Sequence, residues 1–111
     1  DWSWFGFGTQ AMPIVLELMG YFPGCRNDPW ALSAVMPGQA IEPHVDHQGP
    51  KWMCRVHVPL MSNPASRFVV GGEAHYMEVG KAYRVNTEAV HAVENDGDTA
   101  RVHFMFDVRR S

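Results

Sequence analysis

The chain has 111 residues, 46% of them hydrophobic and 19% charged, the composition of one globular domain with residues for one core and too few for a second. Nine basic residues against twelve acidic ones leave a formal charge of −3, so no basic field is available for a phosphate backbone and nucleic acid is not an expected partner. Two cysteines, Cys25 and Cys54, make neither a disulfide framework nor a thiolate zinc site, and no apolar run is long enough to cross a bilayer. These features predict a soluble cytoplasmic protein with reduced thiols and no membrane partner, and the start at Asp1 reads as a fragment or processed piece.

The whole chain, 1–111, reads as one domain, with an N-terminal portion over 1–30 and a β core over 31–108. Trp2, Trp4, Phe5 and Phe7 are aromatic without a clear period, which suits a sheet-edge cover or a contact with a missing flank or partner. Met12, Val15, Leu16 and Met19 then fall at helical spacing, with Pro13 at a first turn and Gly20 at the end, and predict one short, mostly buried helix. Tyr21 to Pro29, with Pro, Gly, Asn and Asp, reads as a loop. Eight short strands follow, over 31–36, 41–47, 52–60, 67–70, 73–79, 82–86, 89–94 and 99–108, closed by turn signals such as Gly71-Gly72, Gly80-Lys81 and Asn95-Asp96-Gly97-Asp98. Short strands in series without intervening helices predict an all-β sandwich or a jelly roll.

In a strand, residues two apart share a face, so His44 and Asp46 are expected to project together. A jelly roll sets its second and seventh strands side by side, which brings His91 to the same place. Two imidazoles and one carboxylate can occupy one face of an octahedral iron and leave the opposite face open. His44-Val45-Asp46 alone is a weak signal; His47 is expected to point the other way and His75 to lie mid-strand, both away from the metal.

Along the last strand Arg101, His103, Met105 and Asp107 alternate with Val102, Phe104, Phe106 and Val108. An arginine on such a strand is either exposed or paired with an anion inside the fold, and a guanidinium can grip the far carboxylate of a dicarboxylate through two parallel hydrogen bonds. Arg55 and His57 share a face of the third strand opposite Cys54, Val56 and Val58. If that face looks onto the metal, two cationic groups there require an anion: a bound acid, or an acidic side chain such as Glu42 or Glu73. Trp52 beside them could wall a substrate pocket, although a tryptophan buried in a β core is the commoner case. The pattern points to a non-haem Fe(II) oxygenase using 2-oxoglutarate.

Between 41 and 108 the chain resembles the aspartyl/asparaginyl β-hydroxylase family, which includes proline hydroxylases. The resemblance is carried in order by Pro43-His44, Arg55-Val56-His57, Gly71-Gly72, Gly80, His91-Ala92-Val93-Glu94-Asn95, and Arg101 with Phe104, Asp107 and Val108. It implies a cupin-like double-stranded β-helix, Fe(II) and 2-oxoglutarate as cofactors, and O2-dependent hydroxylation of a peptide residue or free amino acid of aspartyl, asparaginyl or prolyl type. Succinate and CO2 would be released. It further implies that His44 and His91 bind iron, that Arg101 binds the distal carboxylate of 2-oxoglutarate, and that His57, with Arg55 beside it, lies near the other carboxylate. Asp46 is not constant in the family, and its presence here completes a three-ligand site. The alternatives are a cupin-like metalloenzyme without a cosubstrate and an inactive jelly-roll module in a larger assembly.

Overall fold

The structure, a computed structural model, describes residues 13–111. The aromatic segment Trp2–Phe7 and Met12 lie outside the described residues. Residues 13–19 form a helix, α1, followed by nine strands: β1 (Cys25–Asn27), β2 (Ala31–Val35), β3 (Ala40–His44), β4 (Trp52–Met61), β5 (Ser66–Val70), β6 (Glu73–His75), β7 (Tyr83–Val85), β8 (His91–Asn95) and β9 (Arg101–Arg110). They build two sheets. One has the order β1-β9-β4-β7 with β2 also on β9, the other β3-β8-β5-β6, and every pairing is antiparallel. The result is a cupin-like jelly roll, a double-stranded β-helix, in which sequence-distant strands alternate between two layers.

All eight strands expected from the sequence are present, some of them shorter, and β1 is an addition. The Pro, Gly, Asn and Asp around it read as a loop. Its three residues are held in register by the C-terminal end of β9, from Cys25 opposite Arg110 to Asn27 opposite Val108, and Arg109 closes the edge on Asp28 at 2.7 Å. β2 then continues along the same edge of β9, with Ser33 opposite His103 and Val35 opposite Arg101. That edge fixes the position of Arg101.

The helix departs from expectation. Val15 is buried and Leu18 and Met19 pack against the core, but Leu16 is 67% exposed and Ile14 38%. The reason is its place: α1 lies on the outside of the larger sheet, where only one side of it is covered among the described residues. Beneath it sits an apolar cluster of Val15, Phe22, Cys54, Val56, Val58, Phe104, Phe106 and Val108. A second cluster, Val35, Phe68, Met77, Val85 and Val93, lies between the sheets. Strand alternation therefore sends the apolar faces of β4 and β9 outward under the helix. The alternate residues, Arg55, His57, Arg101, His103, Met105 and Asp107, turn toward the space between the sheets.

Two turns hold the barrel's ends. Gly71 (φ 59°) and Gly72 (φ 85°) link β5 and β6 with two left-handed residues in a row, as a tight hairpin of this twist requires. Between β8 and β9, Asn95 is fully buried. Its amide donates to the carbonyls of Val35 (2.9 Å) and Thr99 (3.0 Å), and its oxygen accepts from Gly97 N and Asn63 Nδ2. Gly97 is needed because the Asn63 side chain occupies the space a Cβ would fill. No helix among the described residues is long and apolar enough to cross a membrane.

Candidate metal centre

The two histidines meet because β3 and β8 pair antiparallel with His44 directly opposite His91, which puts their ring centroids 4.2 Å apart. Asp46 arrives differently from the strand alternation expected of it. The register shifts between Ile41 and His44, β3 ends at His44, and Asp46 lies beyond it, fixed by its N–H donating to the Thr87 carbonyl at 3.0 Å. Its carboxylate still stands 3.6 Å from His44 Nε2 and 3.3 Å from His91 Nε2, and one ligand atom from each of the three residues falls within 4.8 Å of the others.

Each imidazole is aimed by its own strand. His44 Nδ1 lies 2.7 Å from the Glu42 carbonyl and His91 Nδ1 lies 2.8 Å from the Ala89 carbonyl. A carbonyl oxygen only accepts, so both Nδ1 atoms carry a proton, which leaves each Nε2 as the nitrogen that can offer a lone pair to a metal. Two imidazole nitrogens and a carboxylate oxygen converging on one point form a donor set that a divalent cation can join. The donor set is the two-histidine, one-carboxylate face that suits Fe(II), with anchoring hydrogen bonds behind each histidine. His47 is exposed, and His75, also exposed, lies 3.8 Å from Glu73; neither joins the cluster.

Behind Asp46, Arg55 lies opposite Asp107 in the β4–β9 register. Its guanidinium is bidentate on that carboxylate (Nε to Oδ1 2.8 Å, Nη2 to Oδ2 3.1 Å), and Nη1 stands 3.5 Å from Asp46 Oδ2. The hydrogen bond to Asp107 holds the Arg55 pKa above the ordinary arginine value despite partial burial. Asp107 is therefore the acidic partner of Arg55, where the sequence leaves open a bound acid or an acidic side chain such as Glu42 or Glu73. Trp52 is drawn the same way, its indole N–H donating to Asp107 Oδ1 at 3.2 Å, and it stands outside the set of residues lining the cavity.

The cavity, about 80 Å³, runs from His44, Asp46 and His91 past Phe68 to Arg101 and Ser33, with Arg55, His57 and Thr87 on its wall. Phe68 is its central plate, stacked on His91 at 6.3 Å and on His103 at 6.5 Å. Arg101 is 2% exposed, and among the described residues it has no carboxylate partner. It reaches His103 Nδ1 at 2.9 Å, Ser33 Oγ at 3.4 Å and the face of Phe68 at 5.9 Å. Burial lowers its pKa to about 10. A buried guanidinium with no carboxylate partner among the described residues has the chemistry to hold an anion. A larger hollow, about 400 Å³, lies on the α1 side of the sheet and is lined by Leu18, Phe22, Tyr83 and Arg84; the metal triad is elsewhere.

Arg101 also sets the protonation of its neighbours. A guanidinium only donates, so His103 Nδ1 accepts from it, and His57 Nδ1, 2.9 Å from the same atom, must carry the proton of that contact. Both imidazoles are buried and neutral. Burial, then the Arg101 charge, lowers the His103 pKa from 6.5 to about 3, and burial followed by the His103 and Arg101 charges pushes His57 well down.

Unfolding releases His103 to its ordinary value, so between about pH 6.5 and pH 3 the unfolded chain binds the extra proton and stability falls as pH is lowered. The urea midpoint of the wild type is expected to drop more steeply between about pH 6.5 and pH 4.5 than that of His103→Gln, which has no such proton to take up. Equal slopes would mean that His103 is not held neutral.

Ser33 and Thr87 were not indicated by the sequence. Ser33 follows from the β2–β9 register, which sets it opposite His103, whereas Thr87 stands in an irregular turn after β7 and has no periodic signature.

Among solved structures, the chain is similar to a predicted oxalate decarboxylase from Thermotoga maritima, with a TM-score of 0.58 and 17% sequence identity over 84% of this chain and 72% of that one. That likeness is one of fold. No curated relative matches the sequence. The profile of the aspartyl/asparaginyl beta-hydroxylases, by contrast, matches residues 8–111, and with His44 and His91 paired across two strands of a jelly roll, the chain belongs to that family.

Proposed function

We propose that this chain is an Fe(II)- and 2-oxoglutarate-dependent dioxygenase that hydroxylates an aspartyl, asparaginyl or prolyl residue of a peptide, or a free amino acid of that kind. One observation carries the reading. A buried arginine without a carboxylate partner among the described residues lies along a single small cavity from two histidine lone pairs and a carboxylate. The triad suits a divalent metal, and Arg101 suits an acid held at a distance from it.

In that reading His44, Asp46 and His91 would hold the iron. Arg101, with Ser33 beside it, would hold the distal carboxylate of 2-oxoglutarate. Fe(II) and 2-oxoglutarate, when bound, supply with O2 the oxidising power for hydroxylation, and succinate and CO2 are released. The protein's work is orientation. Arg55 reaches the same Asp46 oxygen, Oδ2, that faces the two imidazoles and so holds that carboxylate in place, Glu42 and Ala89 carbonyls fix the two imidazoles, and Phe68 gives the cavity an apolar wall. Two free thiols, Cys25 half-buried and Cys54 buried, support a cytoplasmic setting.

The test is an anaerobic titration with Fe(II) and then 2-oxoglutarate, read by the visible charge-transfer band of a chelated 2-oxo acid. A band saturating at one equivalent, followed by succinate release on admitting air with a substrate, is the expected result. Folded protein that binds Fe(II) but gives no band would point to a cupin-like site without this cosubstrate, and failure to bind metal at all to an inactive jelly-roll module.

A further inference from the structure

We infer that the hydroxyl of Thr87 is a hydrogen-bond contact for the metal-proximal carboxylate of the bound 2-oxo acid. This inference rests on the function proposed above. Thr87 is 1% exposed and lines the cavity, and among the described residues its Oγ1 is the one buried side-chain polar atom with no hydrogen-bond partner. A buried hydroxyl without a partner forfeits the bonds it makes in water, whereas a valine of the same shape would pack there without that loss.

The turn itself does not need the hydroxyl. A threonine in a tight turn commonly caps a neighbouring backbone N–H, but here Asn86 does so, its Oδ1 accepting from Glu88 N and its carbonyl from Ala89 N. Only the main chain of Thr87 is used, its carbonyl accepting from Asp46 N. That bond sets Thr87 at the metal end of the cavity, beside the carboxylate ligand and four residues before His91.

At that end the other polar groups are already engaged. The Arg55 guanidinium has Asp107 on one side and Asp46 on the other. His57 has its Nδ1 turned to His103 at 2.9 Å. Among the described residues, Thr87 is the buried hydroxyl donor with nothing to donate to. A 2-oxo acid chelating a metal on His44, Asp46 and His91 would present a carboxylate oxygen in need of one.

The experiment compares wild type, Thr87→Val and Thr87→Ser in three measurements: the melting temperature without ligands, Co(II) loading followed by absorption, and anaerobic 2-oxoglutarate binding to the metal-loaded protein. Thr87→Val is expected to melt no lower than wild type and to load Co(II) within about twofold, but to bind 2-oxoglutarate roughly 10-fold or more weakly, as for loss of a hydrogen bond to a charged group. Thr87→Ser, which keeps the hydroxyl, is expected to stay within about threefold. Wild-type affinity in Thr87→Val would overturn the inference. So would a lower melting temperature without ligands, which would reveal a structural partner, or a loss confined to Co(II) loading, which would assign the hydroxyl to the metal's own shell. If the wild type loads Co(II) but takes up no 2-oxoglutarate, the proposed function fails and this contact with it; if the wild type binds 2-oxoglutarate and Thr87→Val binds it equally well, the contact alone fails.

Discussion

His91→Ala is expected to weaken Fe(II) or Co(II) binding by at least about 100-fold, the upper range for changes merely behind a metal ligand, and to abolish the charge-transfer band. His91 is the most enclosed member of the triad, its side chain 6% exposed against 38% for His44 and 31% for Asp46. Its Nδ1 is tied to Ala89 O and its ring is stacked on Phe68, so Nε2 is held in place before any metal arrives. Removing it leaves one half-exposed imidazole and a carboxylate that Arg55 already partly neutralises, a bidentate site at best. The packing lost against Phe68 lowers stability as well, so binding is compared at a temperature where circular dichroism shows the variant folded. His47→Ala, which removes an exposed imidazole outside the cluster, is expected to leave metal affinity unchanged. Retention of full affinity in His91→Ala would remove it from the ligand set.

The centre was legible in the sequence to the extent that it depends on strand order and alternation. His44 and His91 meet because two strands far apart in sequence are neighbours in a jelly roll, and Arg55, His57, Arg101 and Asp107 share the inter-sheet space because each occupies the polar phase of its strand. What escaped depends on breaks in regularity. Asp46 was expected on a strand reaching to 47, but β3 stops at His44 and a hydrogen bond to Thr87 does the aiming instead. β1 escaped because three residues rich in turn formers carry no period, and only their register on β9 makes them a strand. The exposure of Leu16 escaped because helical spacing identifies an apolar stripe without saying how much of it a neighbour covers. Arg55 shows a further limit: alternation placed it correctly on the inner face, but its acidic partner lay across the sheet at a register position that no local pattern reports.

Arg101→Met is expected to separate the proposed cosubstrate site from the fold and the metal, because its effect on ligand binding is large and its effect on stability small. In the protein without ligands, the guanidinium sits 2% exposed with its pKa lowered by burial to about 10, a penalty on the charged form of roughly 3 kcal/mol. Against this stand a charge-assisted hydrogen bond to His103 at 2.9 Å and a weaker one to Ser33 at 3.4 Å, together about 3 kcal/mol, so the two sides nearly offset, and His103 Nδ1 keeps the donor on His57 when Arg101 is removed. Methionine retains an apolar stem against Phe68, so the variant is expected to melt no lower than wild type. On the proposed reading, 2-oxoglutarate with Fe(II) bound would lose the one buried cation that the described residues place at that end, and affinity is expected to fall on the order of 100-fold, as for truncation of one partner of a buried charge pair. Metal loading should be kept, since Arg101 touches none of His44, Asp46 and His91. The wild type, but not the variant, should gain thermal stability from added 2-oxoglutarate in the presence of metal. A variant that melts far lower without ligands would make Arg101 a structural residue. Unchanged 2-oxoglutarate affinity would send the distal carboxylate elsewhere.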